Sequence, residues 1–142
     1  MPQSFQYSTE IPVRITDLNY GGHVGNDSFL SIIHEARIRF LNSLGYSEID
    51  IEGVGIIMVD SLINYLKESF YGDVLKVEVA IDNIDDGSCD YFYRLTDLKT
   101  GKPVVNAKTG ILFYDYKDNK KALMPEKFKD KINILTESAK KN

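Results

Sequence analysis

Asp17-Leu18-Asn19-Tyr20-Gly21-Gly22-His23-Val24-Gly25-Asn26 is a glycine-rich turn that runs straight into an amphipathic segment, Asp27 to Leu44. In that segment Phe29, Ile33, Ala36, Phe40 and Leu44 step by three or four and form one apolar stripe, which Ile32 and Leu41 widen. The spacing predicts a helix from about Asp27 to Leu44. Asn26 suits the N-cap, Asp27 suits the positive helix start, and Gly45 suits the stop. No other segment reads as a long helix.

Working outward, Phe5 to Ile15 is apolar enough for a first strand, and Pro12 marks an edge or irregular position in it. Downstream, Gly55 to Glu68 is long and mostly apolar or β-prone. Leu75, Val77, Val79 and Ile81 then alternate with Lys76, Glu78, Ala80 and Asp82, the pattern of a half-buried strand. Asp85-Asp86-Gly87-Ser88 and Lys99-Thr100-Gly101-Lys102 read as turns. Between them Cys89, Tyr91, Tyr93 and Leu95 alternate with Asp90, Phe92, Arg94 and Thr96, and Val104 to Tyr116 makes a last long strand. A short helix is expected over Glu126 to Leu135, in a tail that starts at Pro125 and frays into Lys140-Lys141-Asn142. Strand, long helix and about four further strands make an α+β protein, with the helix buried in the concave face of a curved antiparallel sheet.

The 142 residues fit one domain, 1–142. Hydrophobic residues at 43% and charged residues at 27% are those of a soluble globular protein. Seventeen Lys+Arg against 21 Asp+Glu, a net charge of −4, argue against nucleic-acid binding, because a phosphate backbone would be repelled. No apolar run approaches the roughly 20 residues of a membrane span. The lone Cys89 fits a reducing, cytoplasmic setting, and one Cys with two His is too few for a structural zinc site, so no metal is expected.

The loop motif, followed by His34-Glu35-Ala36-Arg37 and Phe40-Leu41, resembles the 4-hydroxybenzoyl-CoA thioesterase-like branch of the hotdog-fold proteins. Members typically show D-x-D-x-x-G-H-V-N-N and then E-A-R on the helix. Tyr71-Gly72-Asp73-Val74-Leu75 resembles the family's G-D-x-L lead into a strand. The likeness runs from about Val13 to Tyr116. It implies a hotdog fold, a homodimer or homotetramer with sites at the subunit interface, and hydrolysis of an acyl-CoA or acyl-carrier-protein thioester. No cofactor is implied beyond the CoA of the substrate. The family's second acid, commonly the nucleophile or base, is Asn19 here, and the first Asn of its N-N pair is Gly25.

Thioester hydrolysis needs an activated water or carboxylate and donors for the developing oxyanion. Gly22-His23-Val24-Gly25 leads into a helix start with free N–H groups, and its glycines let a carbonyl approach the backbone. Gly22, Val24 and Gly25 are thus candidate substrate contacts. Glu35 ranks first as general base, the competing reading being a surface pair with Arg39 at i+4. Asp17 is a second base or, more simply, a loop-orienting acceptor. His23 lines the site, donating to substrate or to Glu35, and Asn19 acts through its amide. By resemblance the strand facing the helix lines an acyl channel at Ile57, Met58 and Val59. Lys67 or Lys117–Lys121 could meet the phosphates of CoA. His34 reads as structural or surface, Cys89 as buried and inert, and Asp27 most simply as a first-turn acid, with catalysis its other reading. A hotdog hydratase or dehydratase and a non-catalytic acyl-thioester binder are the alternatives.

Overall fold

The amphipathic run is a helix, α1, over Asn26–Ser43 in the computed structural model, which describes residues 1–141. The chain order is β1 (Tyr7–Pro12), α1, β2 (Gly55–Tyr65), β3 (Val74–Asp82), β4 (Ser88–Asp97), β5 (Pro103–Asp115), β6 (Lys120–Lys121) and α2 (Glu126–Lys141). The strands form one antiparallel sheet in the order β1-β3-β4-β5-β2, with β6 beside β5.

The stripe of α1 is buried as its spacing requires: Phe29, Ile32, Ile33, Ala36, Phe40 and Leu41 all lie in the core, and Leu44 packs against it. The inner face of the sheet supplies the other wall. Leu75, Val77, Val79 and Ile81 on β3 and Cys89, Tyr91, Tyr93 and Leu95 on β4 are buried. Phe40 meets Tyr7 and Tyr91 at ring-centroid distances of 5.4 and 6.3 Å. Cys89 is buried as expected, and desolvation pushes its thiol up to about 12.

Several boundaries differ from the sequence reading; β2, expected to run to Glu68, ends at Tyr65, where the Leu66 and Lys67 N–H groups both turn to the Val104 carbonyl. The first strand stops at Pro12, because Arg14 to Asp17 folds into a single 3-10 turn over Ile15–Asp17 instead of extending the strand. The N-cap of α1 is Gly25, whose carbonyl accepts from Ser28 N–H at 3.0 Å; Asn26 is already helical. The C-terminal helix runs to Lys141 rather than stopping near Leu135. Phe128 and Ile132 are fully buried, and Gln6 Nε2 donates to Thr136 Oγ1 at 2.9 Å, so the chain beyond Leu135 is tied down. Of the expected frayed end, Asn142 lies outside the described residues.

One charge is buried with the stripe. Arg37, 7% exposed, donates through Nε to Glu48 Oε2 at 2.7 Å and through NH1 to Tyr93 OH at 3.0 Å. Tyr93 OH lies 2.8 Å from Thr109 Oγ1, so the chain of polar groups ends on β5. Burial opposes the charge on Arg37, but Tyr93 and Glu48 outweigh it and raise its pKa. Burial likewise pushes Glu48 up, and the bond and charge of Arg37, with His34, more than reverse this and hold Glu48 below its ordinary value.

A carboxylate whose folded pKa is depressed adds stability above its unfolded pKa and loses it as pH falls through the folded value. Glu48→Gln leaves Arg37 buried without a counter-charge, at an expected cost of about 3 kcal/mol near neutral pH. The gap between wild type and variant should narrow as pH falls below about 4.5, the ordinary Glu48 value. Urea unfolding at pH 7 and pH 3.5 checks this; an unchanged gap would remove the charge pair from the account.

Candidate functional site

The turn before α1 is built by backbone bonds around two side chains. Asn19 N–H donates to His23 O at 2.9 Å, and Gly22 N–H donates to Asn19 O at 3.0 Å. Asn19 Oδ1 accepts Gly21 N–H at 2.8 Å. Gly22 sits at φ +83°, a left-handed conformation that glycine adopts without strain. Val24 N–H donates to Ser69 O at 2.8 Å, fixing the turn against the segment after β2.

Asp17 is 3% exposed and fully engaged. Its Oδ2 accepts Arg14 N–H at 2.8 Å, and its Oδ1 lies 3.1 Å from Arg14 NH2. The bond from Asp17, and then its charge, raise the Arg14 pKa. Gly25 N–H also donates to the Asp17 carbonyl at 3.1 Å. These contacts match the loop-orienting reading of Asp17 and occupy both of its carboxylate oxygens.

Around the glycines several polar groups converge. A first side-chain carbon on Gly21 would lie 3.1 Å from Asn19 Oδ1 and 3.3 Å from His23 Nε2. One on Gly25 would lie 2.8 Å from Asp27 Oδ1 and 3.7 Å from Asn19 Cβ. The N–H groups of Asn26 and Asp27, the first of α1, have no acceptor among the described residues. His23 does not meet Glu35: its Nε2 stands 4.0 Å from Glu68 Oε1, and its ring lies edge-on to Phe70. With Val24, Asn26, Phe29, Tyr65 and Lys67 it lines a cleft of about 280 Å³.

Glu35 stands apart from this cluster. Nine residues along α1 from Asn26 place it roughly 13 Å away at 1.5 Å per residue. Its Oε2 accepts from Arg39 Nε at 2.8 Å, and Arg39 NH1 in turn donates to Thr9 Oγ1 and the Glu10 carbonyl. Glu35 therefore lies in the i+4 pair that the sequence offered as its other reading, half-exposed beside Ile11, Arg14 and Ile32.

Met58 does face α1. It lines a cleft of about 300 Å³ with Leu30, Ile33, His34, Arg37 and Thr109. Val59 falls at a β-bulge between Met58 and Asp60 and is exposed. His34 is not isolated: its Nε2 pairs with Glu48 Oε1 at this cleft. Glu48 lies 14 residues away in a loop, so no helical or strand spacing could announce the pair. Lys67 Nζ is 3.8 Å from Asp97 Oδ2, and Lys120 Nζ is 3.9 Å from Asp118 Oδ2. Among the described residues no group of three His, Cys, Asp or Glu is placed to hold a metal ion, and no helix is long and apolar enough to cross a membrane.

Comparison with known proteins adds three findings. A family model for the thioesterase-like superfamily matches residues 13–132. Among solved structures, a 1,4-dihydroxy-2-naphthoyl-CoA thioesterase from Synechocystis aligns with a TM-score of 0.81 at 23% identity, over 91% of this chain and 95% of that one. A Staphylococcus aureus protein in complex with CoA aligns at 0.82 and 21% identity, over 94% and 84%. A Thermus thermophilus thioesterase complexed with coenzyme A and zinc aligns at 0.78 and 22%, over 94% and 96%. Among curated proteins there is no significant match.

Proposed function

The chain belongs to the thioesterase-like superfamily and has the hotdog fold, and from there we propose that it hydrolyses acyl-CoA thioesters, with acyl-carrier-protein thioesters as a variant substrate. One observation carries the proposal. The unpartnered N–H groups of Asn26 and Asp27 begin α1 directly after the turn of Asn19 and His23, and His23 and Asn26 line the same cleft. Backbone donors fixed in advance stabilise the oxyanion of a tetrahedral intermediate without reorganising. Gly22, Val24 and Gly25 shape the floor on which the thioester carbonyl rests, and Asp17 holds that floor through Arg14 and Gly25. Asn19 and His23 orient the carbonyl and the attacking water. CoA enters as part of the substrate, as the CoA-bound Staphylococcus aureus and Thermus thermophilus neighbours suggest. Lys67, at the cleft, is the cation we assign to its phosphates. The acyl group extends toward Met58 and Val59. Glu35, first in the sequence ranking, reaches a reacting thioester only if a second copy's loop holds it, because of its distance along α1.

A second copy is part of the proposal. β2 is an edge of the sheet, and from Val59 to Leu62 it is exposed on both faces. Met58, Val59, Leu62, Tyr65 and Leu66 put apolar side chains on that edge. An exposed, apolar, unpaired edge strand invites another strand, and a two-fold pairing of β2 with β2 closes it.

The enzymatic reading is tested by free-thiol release over a panel of acyl-CoAs of different length and aromaticity. Turnover is expected on at least one. Binding without thiol release would make the protein a thioester-binding module, and loss of enoyl-CoA absorbance without thiol release would make it a hydratase.

Asn19→Ala removes a positioning group, and the rate is expected to fall about 10²-fold, the usual loss for one oxyanion-site donor. A wild-type rate in a folded Ala variant would leave Asn19 as a shaper of the turn alone.

Light scattering at micromolar concentration should give a mass at least twice the 16.1 kDa of one chain, and Leu62→Arg should shift it toward the monomer. A wild-type monomer that still turns over thioester would end the shared-edge proposal.

A further inference from the structure

Three carboxylates lie in or next to the turn and the first half of α1, and their surroundings differ. Both oxygens of Asp17 are taken by Arg14, and Glu35 is taken by Arg39. Asp27 has no hydrogen bond and no ion pair among the described residues, although its Oδ1 is folded back onto the turn. The fold-back depends on Gly25. That residue has φ −71°, ψ 153°, a conformation open to any amino acid, so the backbone does not require glycine there. An added side chain would begin 2.8 Å from Asp27 Oδ1, closer than carbon and oxygen pack, so the exposed carboxylate would have to swing off the turn. The same point is 3.7 Å from Asn19 Cβ. An exposed carboxylate and the Asn19 side chain thus meet over the bare Cα of Gly25, both within 3.7 Å of one point.

Resting on the hydrolase reading above, we propose that Asp27 is the catalytic base of this chain, admitted to the reacting centre by Gly25. A water held between Asp27 and the Asn19 amide attacks the thioester carbonyl carbon while its proton passes to Asp27 Oδ1. The new C–O bond places negative charge on the carbonyl oxygen, which the N–H groups of Asn26 and Asp27 receive. Collapse of the intermediate restores the carbonyl and breaks the C–S bond. The proton on Asp27 goes to the departing sulfur, leaving a free carboxylic acid, CoA thiol and an ionised Asp27. Asp27 belongs to the same chain as the loop it serves, so this centre needs no residue from a second copy for the proton transfer.

The test uses the full-length chain and the best acyl-CoA from the thiol-release panel. Asp27→Asn keeps size and hydrogen bonding, and kcat should fall about 10²–10⁴-fold, the range for loss of an acid/base group. Gly25→Ala removes no polar group yet forces the Asp27 carboxylate off the turn, and should lose at least tenfold in kcat. Asn19→Asp in the Asp27→Asn background puts a carboxylate on the neighbouring side chain, and should recover at least tenfold over Asp27→Asn alone. Circular dichroism and denaturation midpoints establish that each variant folds. A role confined to the helix start would move the midpoint and leave kcat at the wild-type level, which overturns the proposal. An active Asp27→Asn beside an inactive Glu35→Gln overturns it in favour of a base from another copy. A wild type that releases no thiol from any acyl-CoA defeats the hydrolase reading itself, whereas an active wild type with an equally active Asp27→Asn defeats only the assignment of the base.

Discussion

The constraint from which the structure follows is the width of the apolar stripe on α1. Six apolar side chains and one arginine of an 18-residue helix are buried together, spread over more than a narrow seam. A single flat sheet would cover only part of such a face, so the sheet wraps it, with β1 and β3 touching α1 on one flank and Met58 of β2 reaching it on the other. Wrapping fixes where α1 begins. Its first turn emerges between the segment after β2 and the turn over Ile15–Asp17, and the bonds from Val24 to Ser69 and from Gly25 to Asp17 hold it there. The position of the proposed reacting centre is thus a consequence of hiding the helix.

Arg37 is the exception within that stripe, and it shows how a polar chain is carried through an apolar core. A buried guanidinium is tolerable only with a counter-charge and satisfied donors. Glu48 supplies the charge, Tyr93 accepts from NH1, and Thr109 completes the Tyr93 hydroxyl. The chain links the loop after α1 to β4 and β5, so the arginine ties three elements that apolar contact alone would leave free to slide.

Much of this fold was legible in the sequence, and the reasons separate cleanly. The stripe of α1 and the alternations of β3 and β4 are periodic, and the turns between them carry glycine at fixed places, so local pattern and final structure agree. The misplaced boundaries depend on particular partners, near or far, that no periodicity announces. α2 reaches Lys141 because Gln6, 130 residues away, donates to Thr136. β1 ends early because Asp17 gathers Arg14 into a turn. The site was legible as a loop, in Asn19, Gly22, His23 and Gly25, but not as a set of charges. Spacing alone allowed Glu35 to be either a base or the partner of Arg39, and only the folded structure shows Arg39 also anchored to Thr9 and Glu10. Asp27 read first as a first-turn acid and only second as catalytic, because nothing in the sequence says that its carboxylate turns back over Gly25.

Glycines at ordinary backbone angles carry the missing information. Gly22 is needed for its positive φ, but neither Gly25 nor Gly110 is in the left-handed region. At Gly110 an added carbon would meet Asp60 Oδ1 at 2.5 Å, as one at Gly25 would meet Asp27. In both places an aspartate lies flat on the backbone where a side chain has been left out. The two differ in what the carboxylate finds there. Asp60 accepts Gly110 N–H at 2.8 Å and has Lys108 Nζ 3.3 Å away, so the bulge in β2 is closed by its own acid and the charge is satisfied. Among the described residues Asp27 finds neither a donor nor a cation. A carboxylate with partners fastens a structure, and one brought equally close but left without them keeps its lone pairs for a proton from outside the chain. Two alike glycine–aspartate contacts therefore do different work, one holding a sheet edge in shape and the other presenting a base to whatever enters the turn.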